Sequence, residues 1–197
     1  MKSHIVTKFL GSLAFFACAS LSAAPMTISI DVAGTPSVGL TDDPDNTVRL
    51  LNVGANSTIT SVSYNVSLTA FAPSWLQEIG LVIETSARGN GPSRFLQPGL
   101  LDERPGSESY ADTIDLVAEG LSFAVGADGI LRLEFAEFFN DEAIVPDGIW
   151  NSGTIIFGYD TVVAEVPEPT TSLLMGAGLA MLGYAGRRRR AAGKLAA

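Results

Sequence analysis

Residues 62–69 read Val-Ser-Tyr-Asn-Val-Ser-Leu-Thr, and this stretch decides the fold class. Val62, Tyr64, Val66 and Leu68 fall on one side of an extended chain, with Ser63, Asn65, Ser67 and Thr69 on the other, because successive strand side chains point to opposite faces. A segment of this kind buries one face and wets the other, as a half-buried antiparallel strand does. Working outward, Met26, Ile28, Ile30 and Val32 alternate in the same way with Thr27, Ser29 and Asp31. Ile79–Thr85 (IGLVIET) is a more apolar run and predicts a central strand.

Between Ser122 and Phe135 the sequence predicts a hairpin: FAVG, a turn at Ala127-Asp128-Gly129, then ILRLEF. Asp-Gly accepts the positive φ that tight hairpin turns need. Thr154 to Tyr159 predicts a last strand, and Glu134 to Asn140 admits a short helical turn. Turn-forming residues cluster at Thr41–Asn46 (TDDPDN), Gly89–Ser93 (GNGPS) and Pro98–Ser107. About eight short strands between such breaks predict an all-β body over 25–165, an antiparallel sandwich of jelly-roll type.

Charge is unevenly spread over the 197 residues. All 21 acidic residues lie between Asp31 and Glu168. Residues 25–166 hold 20 acids against Arg49, Arg88, Arg94, Arg104 and Arg132, a net charge of −15. Such a body repels nucleic-acid phosphates and anionic membrane surfaces, so no nucleic-acid partner is expected.

The first 24 residues have the order of a secretory signal peptide. Lys2 and Lys8 precede an apolar run, Phe9 to Ala19, and small residues follow in ACASLSAAP. The run is too short for an ordinary membrane span. Ala17-Cys18-Ala19 fits a signal peptidase site, as do alternatives ending at Ser22, Ala23 or Ala24. Phe16 stands where a lipidation motif around Cys18 would need a small residue, so ordinary cleavage is expected. Each cut removes His4 and Cys18, the chain's single histidine and cysteine.

The other end is equally distinct. Pro167-Glu168-Pro169 precedes an uncharged run from Thr170 to Gly186, and Arg187, Arg188, Arg189 and Arg190 close it. The prolines hold the first segment extended, the form a processing enzyme's cleft accepts. The run is at the lower limit for a bilayer-spanning helix, and the arginines mark its cytoplasmic end. With its three parts in this order, VPEPTTSLLMGAGLAMLGYAGRRRR resembles the PEP-CTERM sorting signal of Gram-negative bacteria. The resemblance covers roughly 166–192, with a short tail at 193–197. It implies a substrate of exosortases, membrane enzymes associated with exopolysaccharide and biofilm production. The implied route runs through the secretion machinery and signal peptidase to the inner membrane, facing the periplasm, and then to the outer surface or beyond.

Without histidine or cysteine, the mature body has no Ser-His-Asp triad, thiol nucleophile or His/Cys-ligated zinc. Nor does a glycine-rich phosphate loop occur. We therefore expect a protein that is not an enzyme and needs no cofactor. It would be a structural or adhesive component of the envelope or matrix, with a carbohydrate-binding module as the alternative. Asp42, Asp43 and Asp45, with Asn46, supply oxygen ligands on one loop and are candidate calcium ligands, although the EF-hand spacing is absent. Glu134, Glu137, Asp141, Glu142 and Asp147 form a second acidic group, and a glycosidase needs two such carboxylates at opposed positions, the less favoured reading here. Trp75 and Trp150 are candidates for stacking on sugar or on exopolysaccharide, against the competing role of core tryptophans among apolar neighbours.

Overall fold

The computed structural model describes residues 25–139, 141, 144–162 and 174–184. The signal segment 1–24, Pro167 to Pro169, Arg187 to Arg190 and Glu142 lie outside the described residues. Chain contacts divide the protein into two compact units, Met1–Val162 and Val163–Ala197.

Among its described residues the first unit has ten strands: β1 (Met26–Asp31), β2 (Thr35–Ser37), β3 (Thr47–Asn52), β4 (Thr58–Ala70), β5 (Ile79–Thr85), β6 (Ser93–Leu96), β7 (Gly106–Asp115), β8 (Phe123–Ala124), β9 (Ile130–Glu137) and β10 (Gly148–Asp160). They form two antiparallel sheets. One runs β1-β10-β4-β7, with β2 also pairing β10 and β8 also pairing β4. The other runs β3-β9-β5-β6.

The alternation in β4 sets the geometry. Val62, Val66 and Leu68 are buried, Tyr64 packs against the same core, and the residues between them face outward. Facing them are Leu81 and Ile83 of β5 and Leu131, Leu133 and Phe135 of β9. Each fully buried side chain of this size contributes about 1.5–3 kcal/mol relative to exposure. In β1 the inward face deepens along the strand, from exposed Met26 to buried Ile30.

All seven residues of β5 are buried, which explains why IGLVIET lacks a polar face. Its inward side packs on the first sheet. Its outward side is covered too, partly by polar groups: Glu84 pairs with Arg132 of β9, which also binds Glu134 at 2.7 Å.

Two expectations are corrected here. The Asp128-Gly129 turn exists, with Gly129 at φ +72°, but it does not close a hairpin. β8 pairs β4 in one sheet, whereas β9 pairs β3 and β5 in the other. The turn is a corner between sheets, packed so closely on the Gly54–Ala55 backbone that a Cβ at Gly129 would lie 2.5 Å from Gly54 C. The helical turn expected from Glu134 is instead the end of β9, which continues to Glu137 in register with β5 (Ile79↔Glu137). Apolar inward positions and ladder pairing outweigh the helix-forming tendency of its Glu and Ala residues.

In the second unit, 174–184 is helical. Among the described residues no helix is long and apolar enough to cross a membrane; the ends of the expected span 170–186 lie outside them.

Candidate functional site: an aromatic hollow backed by carboxylates

The segment joining β4 to β5 builds the site. Ser74 N donates to Phe71 O at 2.9 Å, and a 3-10 turn follows over Leu76–Glu78. The Glu78 carboxylate accepts the Trp75 amide at 2.8 Å and closes the turn from its start. Leu76 and Gln77 are tied by their amides to Arg104 O and Asp102 O. Leu76 takes the core position of this turn, so the adjacent Trp75 ring is turned outward, 38% exposed.

A second wall comes from the end of β9. Phe138 N donates to Glu78 O at 2.8 Å, and its ring lies against Gly80. A Cβ on Gly80 would stand 2.0 Å from Phe138 Cε2, so only glycine admits this close approach. Phe95 meets the same ring edge-on at 5.3 Å. Pro73, Trp75, Gln77, Glu78, Gln97, Phe138, Phe139 and Asp141 thereby enclose a hollow of about 600 Å³. On the far side of Phe138, a shallower hollow of about 440 Å³ includes Leu40, Phe95 and Glu137 in its lining.

Carboxylates converge behind these walls. Asp141 accepts the Ser74 hydroxyl at 2.8 Å, and its amide donates to Asp147 Oδ2 at 2.9 Å. Asp147 Oδ1 is buried without a partner, as are both carboxyl oxygens of Glu137. Burial outweighs the opposing influence of the nearby Ser37 hydroxyl, which donates to Ala136 O at 3.2 Å, and with the charges of Asp147, Glu78 and Asp141 it pushes the Glu137 carboxyl up to about 8. Asp147 is raised by burial and by Asp141. Glu78 is raised mainly by burial, with Asp141 and Asp147 adding to the effect while the Trp75 amide opposes it.

The structure separates the residues singled out in the sequence. Trp75 lines the hollow, but Trp150 does not: it is wholly buried and packs edge-on against Phe135 at 5.3 Å, so it offers no face to a ligand. Asp42, Asp43 and Asp45 are engaged in shaping their own loop. Asp42 pairs with Arg88 and donates its amide to Glu134 at 2.6 Å, while Asp43 accepts the Asp45 amide at 2.9 Å. Asn46 bonds Gly39, Leu40 and Glu134. Among the described residues no group of three or more His, Cys, Asp or Glu is placed to hold a metal ion.

The second acidic group divides. Glu134 faces outward to Arg132, whereas Glu137, Asp141 and Asp147 gather near the hollow and are joined by Glu78. Glu78 was missed because it lies far upstream. Its signal was a glutamate placed three residues after the start of a turn.

These features define a two-sheet β body with an aromatic, acid-backed hollow, carried on a chain with a separate C-terminal unit. That unit has a recognisable identity: residues 165–190 match the PEP-CTERM protein-sorting motif. The chain is thus an exported protein of the exosortase-processed kind, anchored in a membrane before processing. No curated protein matches it. Among solved structures, the infectious bursal disease virus VP2 subviral particle is similar at 16% identity and a TM-score of 0.33, over 70% of this chain and 33% of that one. The structure of the infectious bursal disease virus Gt strain is similar at 12% identity and a TM-score of 0.29, over 77% and 43%. The chain therefore spans less than half the length of either.

Proposed function

We propose that the body is a non-enzymatic adhesive component of the cell envelope or extracellular matrix, holding exopolysaccharide in the hollow beside Trp75. The carrying observation is the exposed Trp75 face, set among Gln77, Gln97, Glu78 and Asp141 in a hollow of about 600 Å³. Aromatic faces stack on sugar rings, and nearby amides and carboxylates accept or donate to hydroxyls. The volume falls within the roughly 300–1,000 Å³ of small-ligand sites.

A jelly-roll assignment of the sandwich is supported by the strand order β1-β10-β4-β7 against β3-β9-β5-β6, in which the first and last strands pair. Before processing, we place 170–186 in the inner membrane with Arg187 to Arg190 on its cytoplasmic side, and the body in the periplasm. Processing then releases the body to the outer surface or matrix. Binding is favoured over glycan hydrolysis because the carboxyl oxygens of Glu137, the group best poised as a general acid, are covered and cannot reach a glycosidic oxygen.

A glycan array probed with the exported protein and its Trp75→Ala variant tests the reading. Saccharide binding that Trp75→Ala abolishes is the expected result. Binding that survives the substitution, or no binding to any saccharide, would overturn it.

A further inference from the structure

Among the described residues, the acids around the hollow have no basic partner. The body contains no lysine and, between residues 25 and 162, five arginines and no histidine. Each arginine side chain has partners other than the carboxyls of Glu78, Glu137, Asp141 and Asp147. Arg88 pairs with Asp42, Arg104 with Asp102 and Glu108, and Arg132 with Glu84 and Glu134. Arg49 donates to Thr35 and Arg94 to Leu121 O. Glu78, Glu137, Asp141 and Asp147 therefore face one another with no basic side chain among them. Among the described residues, three buried carboxyl oxygens in the group have no hydrogen-bond partner, both of Glu137 and Oδ1 of Asp147. Glu137 also forms part of the wall of the adjoining hollow.

Building on the carbohydrate reading above, we propose that the hollow selects an amino sugar, seating its ammonium group between the Glu78 and Asp141 carboxylates and the Trp75 face. Charge complementarity commits the site to this class. A uronate polymer meets four acids and no base, whereas an ammonium supplies the missing positive charge. The walls suit it as well, because a cation is attracted to the face of tryptophan and phenylalanine. Asp147 adds negative charge from behind the hollow, and Glu137 joins it only once ionised, near pH 8.

Binding is linked to protons. Burial has raised the proton affinity of Glu78, Glu137 and Asp147, and a cation nearby favours their ionised forms, so protons leave as the ligand enters. For a permanently charged ligand, affinity therefore rises with pH up to about 8, where Glu137 titrates. Added salt weakens it.

The test compares four probes on the exported protein by titration calorimetry: a glucosamine oligomer, the N-acetylated oligomer of equal length, a uronate oligomer and tetramethylammonium. The glucosamine oligomer should bind at least about tenfold tighter than its acetylated counterpart, the size of one charged hydrogen bond. The double variant Glu78→Gln, Asp141→Asn should bring the two to parity. Tetramethylammonium should bind more tightly at pH 8 than at pH 5. Equal affinity for the two oligomers in the unmodified protein would overturn the ammonium assignment and leave the saccharide reading standing. Tetramethylammonium binding without any oligomer would do the reverse. Binding of none of the four would remove both.

Discussion

Replacing Glu137 by glutamine should stabilise the protein at neutral and alkaline pH and leave it nearly unchanged in acid. Glu137 sits on the inward side of β9, fully buried, and neither carboxyl oxygen has a partner. Burial and the charges around it raise the carboxyl from the ordinary 4.5 to about 8. Below pH 4.5 both folded and unfolded chains hold the proton, and there is no penalty. Between 4.5 and 8 the folded chain keeps a proton that the unfolded chain has lost, so stability falls as pH rises. Above 8 the carboxylate is ionised in both states and the whole penalty stands. At about 1.4 kcal/mol for each tenfold change in proton affinity, that penalty approaches about 5 kcal/mol. Water entering beside the carboxylate lowers it, so about 5 is its ceiling.

Glutamine keeps the shape of the protonated acid and cannot ionise. Urea unfolding of the exported protein and of Glu137→Gln, at pH 5, 6, 7 and 8, reads the difference directly. The two midpoints should start close together and diverge steadily, the variant gaining several kcal/mol by pH 8. Asp147 and Glu78 contribute a residual slope of the same sign in both proteins, which is why the divergence carries the result. Parallel pH profiles, or a variant less stable at pH 8, would refute the account of a buried, unpartnered carboxyl.

Two further substitutions probe the supports of the site. Arg132→Met strands Glu84 and Glu134, both buried, and should cost about 3–5 kcal/mol in urea unfolding; adding Glu84→Gln and Glu134→Gln should recover much of it, since no buried charge is then left unpaired. Gly80→Ala drives a methyl group into the Phe138 ring and should cost about 1–3 kcal/mol, with a larger loss in saccharide binding by calorimetry, because Phe138 lines both hollows.

Local pattern carried the strands well and their connections poorly. Alternation at Val62–Leu68 survives because only one register turns all four apolar residues toward the core. The continuous run of β5 survives because both its faces are covered. Residues 127–129 contain a genuine turn signal, yet the same Asp-Gly serves a hairpin or a corner between sheets. The choice rests on whether β9 pairs with its neighbour in sequence or with β3 and β5, a matter of long-range ladders. Trp75 and Trp150 have equally apolar neighbours in sequence. Leu76 displaces the first to the surface, while the inward register of β10 buries the second.

The acids show the same division more sharply. Glu134 and Glu137 look like partners on a helical turn, where residues three apart share a face. On a strand, an odd separation puts them on opposite faces. Glu134 consequently meets Arg132 on the outside of its sheet, and Glu137 faces the core end with Asp147 nearby. Counting charges established that the body is strongly negative, but the count is indifferent to where arginines go. The structure spends all five on loops, strand faces and the Glu84–Arg132–Glu134 group. Of the acids that no arginine meets, Glu78, Glu137, Asp141 and Asp147 gather around the aromatic hollow, while others, among them Asp43, Asp112, Asp115 and Glu119, are spread over the rest of the body. A diffuse surface charge would repel anionic polymers and little more. Set against exposed aromatic rings, the few carboxyls gathered there become a preference for one kind of ligand, and that preference follows from topology.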